Sequence, residues 1–225
     1  IGCTPKEYYA RMSDSELVET LSAHLNGDVP VSEFLCNEIE NRGEVETLLP
    51  LLDSDDTQTV SYAVNLIGED ARAFDRYFAI LENERLDEDI RSDLADILRL
   101  HADEVKDKAL AIYRAGKAKT YMLEILSRVC VRTDEIYDVL LGEFHAADDC
   151  SVYAGYLATY GDERALPVLL RRIEDRSIGF VEFQELKYAI EALGGEYDEP
   201  RDFSGDKDYL AIEAASAKEL GGLKT

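Results

Sequence analysis

Residues 157–176 read LATYGDERALPVLLRRIEDR, and residues 180–195 read FVEFQELKYAIEALGG. Together they spell the end of one helix, a Gly-Asp turn, a helix opened by Ala165-Leu166-Pro167, an acidic turn, and a helix that stops at glycine. The same order recurs upstream. The second helices align as TVSYAVNLIGED (59–70), DLADILRLHADE (93–104), MLEILSRVCVRTDE (122–135), VYAGYLATYGDE (152–163) and FQELKYAIEALGG (183–195), with Gly68, Gly161 and Gly194 at matching ends. The first helices are VETLLPLLD, FDRYFAILEN, EVKDKALAIYRAG, EIYDVLLGEFHAA and ALPVLLRRIEDR. In them apolar residues recur at three and four, as in Val45, Leu48, Leu49 and Leu52, or Ile136, Val139, Leu140 and Phe144; this is the helical period. The repeat length is about 31 residues, inside the window of stacked helical units. One such hairpin cannot bury its own apolar stripe, so neighbours stack on it. The expected fold is all-α: a right-handed α-solenoid of about five helical hairpins over residues 44–194, with N-terminal capping helices in residues 1–43.

Local punctuation refines the pattern. Pro167 fits the first turn of its helix, where a missing N–H costs little. Pro50 lies deeper and is expected to kink its helix or mark a late start. Before the array, Pro5-Lys6-Glu7 opens a short helix through Met12, and Ser13-Asp14-Ser15-Glu16 offers a cap for the helix carrying Leu17, Leu21 and Leu25. Asn26-Gly27-Asp28 ends that helix, and a further one from Ser32 is closed by Asn41-Arg42-Gly43. After Gly194-Gly195 the grammar changes. Residues 195–225 read as an acidic loop, EYDEPRDFSGDKDY, and a short helix, YLAIEAASAKEL, that either caps the array or lies in its groove.

Net charge is −24, and the excess is concentrated in residues 1–100, which carry 8 basic and 23 acidic side chains. A nucleic-acid binder needs a basic stripe to neutralise phosphates, and none is present. The field repels nucleic acid and anionic membrane and speeds encounter with basic partners. The sequence offers neither a membrane span nor a signal peptide, which leads to the expectation of a cytoplasmic chain. Cys3, Cys36, Cys130 and Cys150 are too scattered for metal pairing, and Cys130, within ILSRVCV, reads as a small hydrophobe of a helix.

The run 157–194, with its Gly-Asp turn, its Ala-Leu-Pro helix start and its acidic turn, resembles the HEAT-like repeat family found in many bacterial proteins. Residues 45–156 follow with decayed turns, and Val131-Arg132-Thr133-Asp134 departs most from the pattern. The resemblance implies a curved array whose second helices line the concave side. It implies no reaction.

Chemical constellations are few. Asp202, Asp206 and Asp208 lack the spacing of a calcium loop and read as solvated acids. His24, His101 and His145 sit at separate helix ends, where a partly charged imidazole favours the dipole. The acidic pairs Glu69-Asp70, Asp148-Asp149 and Asp162-Glu163 read as helix starts. No nucleophile elbow, phosphate loop or dinucleotide fingerprint is present. Catalytic, cofactor and metal residues are therefore not assigned. Tyr153, Tyr156 and Tyr160 match the core-facing stripe of Val60, Ala63 and Ile67 and are expected in packing. The off-stripe positions form the candidate partner-binding set: Gln58, Tyr62 and Asn65, with Ser61 beside them; Asp96 and Arg99; and Gln184, Lys187, Tyr188 and Glu191. Tyr62, Asp96, Arg99, Lys187 and Tyr188 are expected to face one concavity, and Val64, Leu98, Leu157 and Ile190 to be buried.

The leading expectation is a non-enzymatic scaffold or adaptor that binds a protein or peptide with basic features. A second is an acidic inhibitor or immunity-type protein masking a basic enzyme such as a nuclease. A third, implied by the resemblance and disfavoured by the charge, is a HEAT-like lyase or DNA-base enzyme.

Overall fold

The computed structural model describes residues 3–27, 30–42, 45–82 and 86–222. Among them every regular element is a helix: α1 (Pro5–Tyr9), α2 (Asp14–Asn26), α3 (Glu33–Arg42), α4 (Val45–Leu48), α5 (Thr57–Ile67), α6 (Phe74–Leu81), α7 (Glu88–Leu100), α8 (Ala102–Arg114), α9 (Lys119–Ser127), α10 (Asp134–Ala146), α11 (Ser151–Tyr160), α12 (Leu166–Ile173), α13 (Phe180–Ala192) and α14 (Lys207–Gly222). Short 3-10 turns at Leu49–Asp53, Ala71–Ala73 and Glu163–Ala165 follow α4 and precede α6 and α12. No described helix is long and apolar enough to cross a membrane.

The chain divides into two compact units, one of Ile1–His101 with Arg114–Tyr121 and one of Ala102–Tyr113 with Met122–Thr225. Their boundary falls inside the stretch that reads as one array.

In the first unit, reciprocal capping boxes start α1 and α2, Thr4 with Glu7 and Ser13 with Glu16. The first helix ends at Tyr9, earlier than Met12, and its C-terminal carbonyls are met by Arg42. That side chain donates to Tyr9 O and Met12 O and pairs with Asp14 at 2.7 Å and Glu38 at 2.9 Å. Gly27 caps α2 and Arg42 ends α3, whereas Asp28 and Gly43 lie outside the described residues. Pro50 falls in the first turn of the 3-10 segment that replaces the end of α4, because it cannot supply the amide an α-helix needs there.

In the second unit α10 to α13 pack around Leu140, Phe144, Ala154, Leu157, Leu169 and Ile190, all buried. Pro167 occupies the first turn of α12. The segment after Gly195 packs against the ends of α12 and α13. Phe203 lies 5.2 Å from Phe180 and 5.1 Å from Phe183, and Tyr197 lies 6.0 Å from Phe183. Arg201 stacks 4.7 Å over Phe183 and donates to the C-terminal carbonyls Asp175 O, at 2.9 Å, and Ile173 O. Asp206 accepts from Phe180 N as well as from Asp208 N and Tyr209 N, so one carboxylate caps the starts of both α13 and α14. Those three donors explain why its pKa is lowered. Asp202 accepts from Ser204 N, so two of the three loop aspartates are turn formers.

Candidate helical faces and the turns that set them

One contact recurs along the chain at the repeat spacing. Arg72 reaches Glu46 at 2.5 Å; His101 meets Glu69 at 3.2 Å; Asp103 accepts from Cys130 N at 3.0 Å and Val131 N at 2.9 Å; Arg164 reaches Asp134 at 2.8 Å. Each joins the turn that ends one second helix to the beginning of the same helical pair: the start of α4, the turn before α6, the start of α8 and the start of α10. The turns after α5 and α11 are related but not identical: Gly68 precedes Glu69-Asp70 and has ψ of −130°, whereas Gly161 precedes Asp162 directly and has ψ of 25°. Gly68 and Gly161 take φ of +59° and +72°, conformations that a Cβ disfavours. Asp70 and Asp162 then cap the next turn through Arg72 N and Arg164 N while pairing with the same arginines' side chains. The Arg72 side chain, with the Arg72 amide, holds Asp70 down at about 2. Asp162 is lowered by Arg164 in the same way.

Where the turn lacks Gly-Asp, at residues 128–133, the acid comes from the other partner: Asp103 at the start of α8 accepts the turn amides directly. Tyr160 adds a second hold, accepting from Thr133 N at 2.6 Å and donating to Thr133 O at 3.0 Å.

These ties fix which side of each second helix faces inward. Val64, Leu98, Leu157 and Ile190 are buried, as the pattern predicts. None of the nine candidate binding residues is buried: Gln58, Asn65, Asp96, Tyr188 and Glu191 are exposed, and Tyr62, Arg99, Gln184 and Lys187 are half-buried. In the first unit Gln58, Tyr62 and Asn65 stand on α5, while Asp96 and Arg99 stand on α7 and pair with each other. Aligning the two helices on their N-caps, Asp56 and Asp87, places Asp93 opposite Tyr62 and Asp96 opposite Asn65. Asp93, exposed, thus belongs with this face. In the second unit Gln184, Lys187, Tyr188 and Glu191 all lie on α13.

Two expectations need correction. Of the tyrosine stripe on α11 only Tyr160 is buried. Tyr153 and Tyr156 are half-buried and meet edge to face at 6.1 Å, because α11 is too uniformly apolar for its sequence to select one inward side. Cys130 is exposed in a turn rather than packed in a helix, since α9 ends at Ser127.

The buried thiol is Cys150. It donates to Glu182 Oε1 at 3.1 Å, and Arg172 pairs with the same carboxylate at 2.6 Å while donating to Asp148 O at 3.0 Å. Burial, then the Glu182 carboxylate, pushes the Cys150 thiol up to about 12. The group is a protonated donor at neutral pH and joins the N-terminal ends of α11 and α13 to α12. No spacing in the sequence marks these three residues as partners.

Among the described residues no three His, Cys, Asp or Glu side chains converge as metal donors. Comparison of the chain with protein-family models, curated proteins and solved structures returns no match. The functional reading therefore rests on the chain's own repeats and faces.

Proposed function

We propose that this chain is a non-enzymatic binding module: a HEAT-like α-solenoid whose second helices present recognition faces to a protein or peptide with basic features. The observation that carries the reading is the asymmetry of those helices. Their inward sides are closed by Val64, Leu98, Leu157 and Ile190, while Gln58, Asp96, Tyr188 and Glu191 stay in water. An exposed Tyr188 and a half-buried Tyr62 among adaptable polar groups suit protein recognition, and a net charge of −24 selects for basic surfaces. The right-handed superhelix and the cytoplasmic setting are parts of this proposal. The test is cross-linking of the tagged chain in its native lysate with mass-spectrometric identification, beside a small-molecule turnover screen. A captured basic protein supports the reading; turnover without a protein partner sinks it.

The charge concentrated in residues 1–100 favours a second reading, an inhibitor that masks a basic enzyme such as a nuclease. Binding to such a partner weakens steeply with added salt, and salt-insensitive binding excludes it.

A further inference from the structure

We propose that the exposed face of α11 and α13 docks a basic amphipathic segment of another protein, with a Lys or Arg of that segment lying on the Tyr188 ring between Glu185 and Glu191. The inference rests on the protein-binding reading above and gives it a place and a partner chemistry in the second unit.

Three large apolar side chains stand in water on this one helix pair: Val152 at 59% exposure, Val181 at 42% and Tyr188 at 61%. The helices are not loosely held. Ala154 and Leu157 of α11 and Leu186, Ala189 and Ile190 of α13 are fully buried on the other side, and the Cys150–Glu182 contact joins their N-terminal ends. The Cys150–Glu182 contact, 32 residues apart in the chain, levels the two helices, and the same offset sets Tyr156, half-buried, at the height of Tyr188. Helical spacing puts Val181, Glu185 and Tyr188 on one stripe, with Glu191 a further turn along. Single exposed apolar residues are ordinary, whereas a group of them on a rigid surface marks an interaction site.

The charges on the same face choose the occupant. Elsewhere in this unit several acids are already engaged, Asp162 and Asp134 by Arg164 and Glu182 by Arg172. The carboxylates of Glu185 and Glu191, both exposed, have no ion-pair or hydrogen-bond partner among the described residues. They flank Tyr188 three residues to either side. Lys187, half-buried, is the single basic residue on α13, so the exposed face carries an uncompensated negative charge beside an aromatic ring. An ammonium or guanidinium is attracted to the ring face and to both carboxylates, while leucine-like side chains of the same segment cover Val152, Tyr156 and Val181 in the helix-on-groove mode.

The test uses the full chain and a fluorescein-labelled peptide of leucine and lysine, about four helical turns long, with its leucines on one face. Binding is read by anisotropy, and thermal melts confirm that each variant folds. Tyr188→Ala is expected to weaken binding about tenfold or more, as loss of a central aromatic does. Joint E185Q and E191Q is expected to weaken it several-fold and flatten its salt dependence. Joint E19Q and E40Q, at exposed acids of α2 and α3 outside every candidate face, and a peptide of equal composition with scattered leucines, serve as controls: the first leaves affinity unchanged and the second binds poorly. The inference is overturned if Y188A and V152S bind like the parent, or if E19Q with E40Q costs as much as E185Q with E191Q, which would mean that net charge alone draws the peptide. A native partner that the parent captures and that Y188A with V152S retains would also overturn it while leaving the binding-module reading standing.

Discussion

The Arg164–Asp162 pair and the Arg172–Glu182 pair are chemically alike and nearly equal in length, 2.7 and 2.6 Å, and both carboxylates are buried, but their arginines differ in contact with water. Arg164, 52% exposed, belongs to a turn, where Asp162 also accepts from the Arg164 amide; Arg172, 29% exposed, lies with Glu182 between α11, α12 and α13, where that carboxylate has besides this arginine only the Cys150 thiol among the described residues. A pair whose arginine is half in water gains little, because the guanidinium stays solvated when it lets go and the backbone amide still serves the carboxylate. Between helices the attraction is stronger, yet each charge has surrendered its hydration, so the pair matters chiefly through what happens when one partner is missing. The turn pairs align successive units cheaply. The buried pair makes one arrangement of three helices much better than its neighbours.

The comparison breaks most directly at Arg172. Removing it in R172A leaves Glu182 and the Cys150 thiol facing each other without a cation, and the expected loss is about 3 kcal/mol in urea unfolding. Arg172→Met combined with Glu182→Met should cost less than R172A alone, since no charge is then stranded. If R172A is no worse than R164A, the two environments do not differ as argued.

Glycines test how tightly each region is held. A Cβ at Gly195 would come within 2.5 Å of Leu166 Cδ1 and 2.9 Å of Ile190 Cγ2, so Gly195→Ala should cost about 1–3 kcal/mol by overpacking α12 against α13. At Gly161 the new Cβ would lie 3.0 Å from the tip of the Arg132 side chain, which can move. Gly161→Ala should therefore cost about 1 kcal/mol, from the left-handed backbone alone. Melting curves of the two variants rank the sites.

Acid sharpens the turn side of the comparison. Asp70 is held at about 2 against an ordinary value of 3.8, and Asp162 is lowered as well. A carboxylate depressed by folding contributes stability above its unfolded pKa and loses it as pH falls through the folded one. Stability should thus decline as pH drops from near 4 towards 2, and the combined R72A and R164A variant should show a shallower decline in pH-dependent unfolding.

The smallest effect concerns the thiols. Cys3 and Cys130, both exposed, should react with a maleimide at neutral pH, while Cys150, buried and raised to about 12, should react only after unfolding. Peptide mapping of the labelled chain distinguishes them. Rapid labelling of Cys150 in the native state would show that the helix junction opens.

Much of the helical pattern was legible before any coordinates. Ser13 and Asp162 sit where caps belong; Pro50 breaks its helix where an amide is missing; Gly68, Gly161 and Gly194 all take positive φ. Periodicity also placed Val64, Leu98, Leu157 and Ile190 inside. It failed on α11, where valine, alanine, leucine and tyrosine occur on every side and only packing decides which are covered. It failed again at Cys130, because the end of α9 has no glycine and is set by Asp103, 27 residues upstream.

What the sequence determined by itself is the set of helices, their caps and most of their inward faces, since these follow from interactions within a few residues. Which acid meets which arginine was decided by the tertiary structure. The chain has 48 carboxylates and 24 basic side chains, and nothing local distinguishes Glu182 from its neighbours. Packing of α12 between the starts of α11 and α13 removes water from that one carboxylate and brings Arg172 and Cys150 to it. The same packing leaves Val152, Val181 and Tyr188 uncovered, because an element buried on one side against its neighbours has no further neighbour on the other.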